Sequence, residues 1–155
     1  MTTEPDLREL AIELVVGSSR LIRLAARDNR SSVPRALARA LAVIRDLGEP
    51  RISDIAAVDR ISQPTATNLV QKLEERGWVE RTADPADARA VRIRMTELGA
   101  KAQAEFRQAA ADALAPRLAR LPDDALADLQ RGTQALAALL ERIQPDEPTS
   151  DKELA

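Results

Sequence analysis

Hydroxyl and amide side chains gather between positions 53 and 72 of this 155-residue chain. Amides pair with adenine, hydroxyls pair with several bases, and the threonine methyl group contacts thymine, so these types suit the edges of DNA base pairs. The candidate base-reading and DNA-contacting residues are Ser53, Ser62, Gln63, Pro64, Thr65, Thr67, Asn68, Gln71 and Lys72. On a lone helix, a polar face of this kind is more often just exposed to solvent. The neighbouring elements must therefore decide between a base-reading face and an ordinary solvent-exposed one.

Charged side chains form a second set shortly afterwards. Asp87 and Arg89 are separated by one alanine, so the carboxylate could orient the guanidinium. An arginine held at the tip of a loop suits the narrow, negative minor groove of DNA, and Arg92 and Arg94 could contact phosphates. The alternative for Asp87 and Arg89 is a surface salt bridge that contributes about 0–1 kcal/mol. Both interpretations stay open from the residues alone.

The composition excludes most catalytic chemistry. The chain has no cysteine and no histidine, which removes disulfides, thiol switches, Cys-ligated metals and imidazole bases. Carboxylate chemistry remains, but Asp123, Asp124 and Asp128 are better explained by the start of a helix than by a metal site. Ser18 and Ser19 have no neighbouring base. We therefore predict no enzymatic activity, no metal site and no cofactor.

Hydropathy and charge bear on location and partners. No stretch approaches the length of about 18 apolar residues that a membrane span needs, and the first residues are acidic. We therefore expect no membrane span, no signal peptide and a cytoplasmic protein. The net charge is −2, but residues 51–95 hold 8 basic and 7 acidic groups, whereas residues 96–155 hold 7 and 11. DNA would meet the least repulsion in the middle segment.

The spacing of apolar residues predicts a mostly helical chain. It holds 29 alanines and only 5 glycines, and alanine is the best helix former. Residues 7–26 have a helical stripe, and Ser31-Ser32-Val33-Pro34 is typical of a helix start, with the serines satisfying free amides. That second helix should end at Gly48.

A helix-turn-helix is predicted next. A short helix follows Pro50 and should turn Ile55, Ala56 and Val58 inward. Ser62 is placed as the N-cap of a second helix, which ends near Arg76 and is closed by Gly77. Because so short a turn joins two helices, the polar stretch described above lies on the second helix of a helix-turn-helix.

A β-hairpin is predicted to follow. Residues 78–82 and 90–95 alternate with a period of two, and the stretch 83–89 between them is dense in turn formers. A helix-turn-helix that continues into a hairpin is a winged helix, which we place at residues 33–97. This context favours base reading over a merely solvated face.

Apolar helices at the two ends are predicted to join two copies of the chain. Thr96 should cap a helix over 97–120 that Pro116 kinks or ends, and a last helix follows Pro122. Burial within one monomer is the alternative. We assign 5–29 and 98–144 to dimerisation and 145–155 to a frayed tail. The predicted dimer contacts are Leu7, Leu10, Leu14, Leu126, Leu129, Leu136, Leu140 and Ile143.

The chain resembles the MarR (multiple-antibiotic-resistance regulator) family of bacterial transcription factors. The likeness is strongest over 52–99, in Ile61-Ser62-Gln63-Pro64-Thr65-Ala66-Thr67, in residues 69–81, in the wing 84–93 and in Met95-Thr96-Glu97-Leu98-Gly99. The resemblance implies a homodimer on a pseudo-palindromic operator in double-stranded DNA. Each recognition helix would enter a major groove and each wing the flanking minor groove. The family's D-x-R feature of the wing falls on Asp87 and Arg89.

The resemblance also implies a regulatory crevice. Many members bind a small, often aromatic, anion there, which weakens DNA binding. In this chain Arg20, Leu41 and Phe106 would line that crevice. We therefore interpret the protein as a dimeric, sequence-specific transcriptional regulator, foremost a repressor, without catalysis. The alternative from another class is a winged-helix module that binds protein partners, which the near-neutral middle segment keeps open.

Overall fold

The computed structural model describes residues 6–142. Within that range six α-helices and a two-stranded antiparallel sheet follow one another, which confirms the mostly helical fold class. The elements are α1 Leu7–Asp28, α2 Arg35–Leu47, α3 Ile52–Asp59, α4 Gln63–Glu74, β1 Val79–Asp84, β2 Asp87–Met95, α5 Glu97–Leu118 and α6 Asp123–Arg142. The chain forms two units that divide after Leu114, inside α5.

Helix α1 is amphipathic, yet none of its residues from Leu7 to Asp28 is buried. Its start is capped by Asp6, whose carboxylate accepts a hydrogen bond from the backbone amide of Arg8 at 2.9 Å. The predicted dimer contacts on this helix are open to solvent: Leu7 is 76% exposed, Leu10 43% and Leu14 41%. Exposed apolar residues that are grouped on one helix are typical of interaction surfaces.

The core of the first unit lies where α2, α3, α4 and the hairpin meet. Apolar residues at the predicted helical spacing supply it, because each of these helices turns one stripe inward. The largest fully buried side chains are Leu41, Ile44, Ile55, Val70, Leu73 and Ile93. Leu47 and Leu69 are half-buried at the margin.

One predicted core residue, Val58, is instead 49% exposed. Residue 59 follows Ile55 by four positions and Ala56 by three, so the inward face of α3 continues at Asp59. The side chain of Asp59 is only 7% exposed, and its carboxylate lies 3.0 Å from Nε of Arg39 on α2. The inward position on α3 is therefore taken by a nearly buried carboxylate, which pairs with an arginine whose side chain is 67% exposed.

The start of α2 also differs from the prediction. Pro34 is the N-cap residue, and no side chain caps the helix. The Ser31 hydroxyl does accept from a free backbone amide, that of Val33 at 3.0 Å, just before the helix. The hydroxyls of Ser31 and Ser32 also donate to Oε1 of Glu105 on α5, each at 3.0 Å, and the backbone amide of Ser32 adds a third bond at 3.1 Å. These bonds, from Ser32 first, hold the pKa of the Glu105 carboxyl below its ordinary value. The serines therefore fasten α5 to the loop before α2.

The hairpin is longer than the prediction of strands over 78–82 and 90–95. The strands pair from Val79 opposite Met95 to Asp84 opposite Asp87, with a register shift between Ala83 and Asp84. Only residues 85 and 86 connect them. Pairing across the ladder overrides the turn propensities of the residues near the tip, because strand preference depends strongly on context.

Helix α5 begins directly after β2 and packs closely on the start of the hairpin. The Thr96 hydroxyl accepts from the backbone amide of Gly99 at 3.1 Å, which confirms the predicted cap, and donates to the carbonyl of Gly77 at 2.6 Å. A Cβ atom at Gly99 would collide with the carbonyl oxygen of Trp78. Glycine at this position is therefore required by the approach of two backbones.

The second unit contains the end of α5 and all of α6. Helix α5 runs through Pro116 and ends two residues later, at Leu118, so the proline lies in its last turn, close to the predicted end at residue 120. Helix α6 begins after Pro122 with Asp123 and Asp124 in its first turn, where negative charge suits the helix dipole.

No residue of α6 between Asp123 and Arg142 is buried. Among its predicted dimer contacts, Leu129 is 44% exposed and Leu140 62%, while Leu126 and Leu136 are half-buried. Ile143 and the predicted tail over 145–155 lie outside the described residues. None of the described helices combines the length and hydrophobicity that crossing a membrane requires.

Candidate nucleic-acid interface

Helix α4 separates an apolar side from a polar side. Ser62 is its N-cap, as predicted, and the serine hydroxyl accepts from the backbone amide of Thr65 at 3.3 Å. The buried residues of α4 are Ala66, Val70 and Leu73. Because these residues face α2, α3 and the hairpin, the opposite side of the helix is open. The structure thus forms the predicted helix-turn-helix from α3 and α4.

The structure brings five of the predicted DNA-contacting residues together on that open side. A shallow depression on α4 is lined by Gln63, Pro64, Thr67, Asn68 and Gln71. Lys72 is exposed on the same helix, and Ser53 is exposed at the second position of α3, where its hydroxyl lies 3.3 Å from Asp54.

The hydroxyls of this surface are already engaged. Those of Ser62 and Thr65 lie 2.8 Å apart and share a hydrogen bond, so both belong to the helix cap. The Thr67 hydroxyl donates to the backbone carbonyl of Gln63 at 2.9 Å. Threonine methyl groups, which need no hydrogen bond, remain suited to contact thymine.

The amides divide into one that is paired and two that are not. Nε2 of Gln71 donates to Oε1 of Glu75 at 3.2 Å. In the part of the chain that the structure describes, the side chains of Gln63 and Asn68 make no hydrogen bond. These two amides can therefore bond a base without first breaking a contact within the protein.

At the tip of the hairpin the Asp87 carboxylate has a different role from the predicted one. Its Oδ1 accepts from the backbone amide of Arg89 at 3.0 Å and shapes the tip. Among the described residues, the Arg89 guanidinium has neither a hydrogen-bond nor an ion-pair partner, and the residue is exposed. The tip therefore presents an unpaired positive charge on a backbone that the Asp87 carboxylate holds in place.

Arg92 and Arg94 are not the free, outward cations of the prediction. Nε of Arg92 lies 3.2 Å from Oδ2 of Asp84, and its Nη1 donates to the carbonyl of Glu49 at 3.0 Å. Arg94 pairs with Glu80 at 2.8 Å. Arg92 is thus bound into the base of the hairpin. Arg94 would have to leave the Glu80 carboxylate before it could contact a DNA phosphate.

Sequence reasoning missed Arg51 and Asp84. The Asp84 side chain is fully buried and lies 2.7 Å from Nη2 of Arg51. An Asp-Pro pair at a turn predicts a carboxylate that accepts from the backbone two residues on, and Asp84 does accept from the amide of Ala86 at 2.9 Å. No local pattern predicts the arginine, because Arg51 is distant in sequence and only the fold brings it near.

The predicted ligand crevice is present only in part. Phe106 is half-buried and lines a pocket of about 140 Å³, together with residues that include Asn29 and Arg35. Arg20 is exposed on α1 and is not part of this lining. Leu41 is fully buried in the core and is not part of this lining, so its place in the crevice stays a prediction.

Comparison with known proteins identifies the family. The family model described as MarR family matches residues 34–91, from α2 into β2. An HTH-type transcriptional regulator of Mycobacterium bovis is 32% identical over 113 residues, which are 72% of this chain and 79% of that relative. The chain belongs to the MarR family. Its resemblance to these regulators, noted from the residues of the helix-turn-helix and wing, is confirmed.

Solved structures similar to this chain share the winged-helix fold. A MarR family protein from Bacillus stearothermophilus matches with a TM-score of 0.65 at 21% identity, over 87% of this chain and 95% of that one. A variant of Staphylococcus aureus MepR bound to an oligodeoxyribonucleotide matches with a TM-score of 0.57 at 18% identity, over 87% and 98%. Both likenesses concern the fold.

Membership of the MarR family makes the chain a DNA-binding transcriptional regulator. Regulators of this family are not enzymes, which confirms the prediction that the protein lacks catalysis. Family membership therefore decides against the alternative of a winged-helix module that binds only protein partners.

Proposed function

We propose that this MarR-family protein is a homodimeric repressor that binds a pseudo-palindromic operator. The observation that carries the proposal is the open side of α4, where two unpaired amides stand beside a hairpin that ends in an unpaired arginine. Residues 33–97 would be the DNA-binding region, and residues 5–29 and 98–144 would supply dimerisation.

The chemistry of α4 favours A·T base pairs in the major groove. Asn and Gln amides bond adenine through N6 and N7, and threonine methyl groups contact the thymine methyl group. The depression on α4 is lined by Gln63, Asn68, Gln71 and Thr67, but by no arginine, the usual partner of guanine. We therefore expect the centre of each half-site to be read mainly at A·T pairs.

The exposed leucines support a dimer. Leu7 on α1 and Leu140 on α6 are 76% and 62% exposed, and neither helix has a buried residue within its described range. A second copy of the chain would cover such surfaces. A dimer of helix-turn-helix proteins places its recognition helices in major grooves about 34–36 Å apart, which requires a symmetric operator. The DNA-bound MepR variant has the same fold as this chain.

Repression is the simplest consequence of such binding, because a protein on an operator excludes other proteins from the same DNA. Release by a small organic anion is a further part of the proposal. The pocket beside Phe106 offers an aromatic wall, and Arg35 offers a positive charge. Its volume of about 140 Å³ is below the range of about 300–1,000 Å³ for drug-sized ligands, so the effector would be a small carboxylate.

Footprinting tests the proposal on the DNA upstream of the gene for this protein. We expect one protected region with two symmetric half-sites, occupied by two copies of the chain. Affinity should fall steeply with salt, because phosphate contacts release counterions. Absence of any protected site at low salt, or occupancy by a single copy, would contradict the proposal.

A further inference from the structure

The base of the hairpin contains a buried carboxylate, that of Asp84, the last residue of β1. Its side chain is fully inaccessible to solvent. Buried carboxylates are costly unless they are paired and hydrogen-bonded. The partners of Asp84 therefore tell what the residue is for.

Four contacts meet at this carboxylate. Oδ2 accepts two hydrogen bonds from Arg51, from Nε at 2.9 Å and from Nη2 at 2.7 Å. Oδ1 accepts from the backbone amide of Ala86 at 2.9 Å. Nε of Arg92 on β2 lies 3.2 Å from Oδ2 as an ion pair. The carboxylate thus joins both strands of the hairpin to the residue that precedes α3.

Arg51 is itself held in place. It is the N-cap residue of α3, and its backbone amide donates to the Asp54 carboxylate at 2.8 Å. The neighbouring backbone adds a second fastening, because the amide of Ile93 donates to the carbonyl of Pro50 at 2.8 Å. The hairpin is therefore attached to the start of the helix-turn-helix along one edge.

The ionisation of Asp84 fits this role. The amide of Ala86 first, and then Arg51 and Arg92, lower the pKa of the Asp84 carboxyl to about 2, against the opposing effect of burial. The charge that holds the hairpin is therefore present throughout the physiological range of pH.

We infer that Asp84 is a positioning residue for DNA recognition, which through Arg51 and Arg92 sets the direction in which the hairpin carries Arg89 towards the DNA. The inference rests on the proposed contact between Arg89 and the operator. Arg89 lies only five residues beyond Asp84, and no other described side chain holds its guanidinium. The orientation of the tip consequently depends on the base of the hairpin.

A double-mutant cycle tests the inference. Asp84→Asn, Arg89→Ala and the double variant are compared for affinity to the footprinted duplex. Asp84→Asn keeps the size of the side chain and an oxygen for Ala86 but removes the charge. We expect each single change to weaken binding about 10-fold, and Asp84→Asn to add less than about 2-fold once Arg89 is absent, since residues that act through one contact are not additive.

The matched control is Asp59→Asn. Asp59 is also a nearly buried carboxylate paired with an arginine, Arg39, but it joins α2 to α3 and not the hairpin. It should lower the melting temperature and leave affinity unchanged. Arg51→Lys is a second, milder variant, because lysine keeps the charge and loses the two-pronged geometry. If Asp84→Asn fails to fold, Arg51→Lys takes its place in the cycle, and its effect on affinity should depend in the same way on the presence of Arg89.

The outcomes separate the inference from the proposed function. If the losses of affinity for Asp84→Asn and Arg89→Ala multiply in the double variant, the two residues act independently. That result would overturn the inference but not the proposed contact between Arg89 and the operator. A wild-type affinity for Asp84→Asn would do the same. A wild-type affinity for Arg89→Ala would overturn both the wing contact and the inference, and failure of the unaltered protein to bind any duplex would overturn the proposed function itself.

Discussion

Arg89 differs from the other arginines of the hairpin in what it would lose on meeting DNA. Arg94 is paired with Glu80, and Arg92 is bound to Asp84 and to the carbonyl of Glu49. A paired arginine must give up a carboxylate before it can hold a phosphate, whereas an unpaired one gives up only water. Within the hairpin, the electrostatic gain on binding DNA is therefore expected mainly at the tip.

We expect Arg89→Ala to weaken operator binding by about 1–3 kcal/mol, which is the range for a specific contact to a base edge. Arg94→Ala is the matched control, because it removes the same charge from the same hairpin at a residue that already has a partner. Its effect should be several-fold smaller. Fluorescence anisotropy with a labelled duplex measures both. Equal losses of affinity for the two variants would show that operator binding depends only on the net charge of the hairpin.

Single residues were predictable where their role depends on close neighbours in sequence. Ser62 and Thr96 cap their helices as the local pattern indicates. The spacing of Asp87 and Arg89 correctly suggests an interaction, but the partner is the backbone amide and not the guanidinium, because a carboxylate two residues away reaches the amide first. The Arg51–Asp84 pair could not be predicted, since it depends on the fold that brings α3 to the hairpin.

At the scale of elements, periodicity was sufficient to place the helices, and it located both strands but underestimated their length. A helix makes its hydrogen bonds within one segment, so its own residues specify it. A strand is completed by its partner, and β1 and β2 continue to Asp84 and Asp87 through residues that favour turns. The start of α5 shows the same dependence, because Gly99 is required by the carbonyl of Trp78, which lies in the turn just before β1.

Gly99 at the start of α5 and Gly132 in α6 should respond in opposite ways to replacement by alanine. Gly99→Ala should destabilise the protein by about 1–3 kcal/mol, because the new Cβ collides with the Trp78 carbonyl and α5 must shift. Gly132→Ala, in α6, meets nothing within 4 Å and should stabilise by about 0.5–1 kcal/mol through helix propensity. Urea unfolding followed by circular dichroism measures both. A stabilised Gly99→Ala variant would contradict the close approach.

At the scale of the whole molecule, the two end helices carry the prediction of a dimer. Leu140→Lys on α6 should shift the protein towards monomer, because a charge would be placed in the proposed interface. Val58→Lys is the control, since Val58 is an exposed apolar residue (49%) outside the predicted dimer contacts, and it should leave the dimer intact. Sedimentation velocity distinguishes the two. A monomeric unaltered protein, or a Leu140→Lys variant that remains fully dimeric, would count against this interface.

The free energy of unfolding in acid should depend on the ionisation of the Asp84 carboxyl. Its pKa is lowered from 3.8 to about 2 in the folded protein, so its contribution is complete above the unfolded value and is lost as the pH falls through about 2. The difference in free energy of unfolding between the unaltered protein and Asp84→Asn should be constant above about pH 5 and shrink between about pH 4 and pH 2. The charged groups around Asp84 and its partner Arg51 are Arg92, Asp54 and Asp87, and they are the same in both proteins. A difference that does not vary with pH would contradict the ion pair.

Trp78 gives the molecule a built-in optical reporter. The sequence has one tryptophan and no tyrosine, so ultraviolet emission excited in the indole band comes from a single site. That indole is half-buried where the recognition helix passes into the hairpin, with the guanidinium of Arg76 5.6 Å from the ring centre. Any rearrangement that tilts one of these elements against the other alters the environment of the ring, and label-free titration with duplex or effector can follow it.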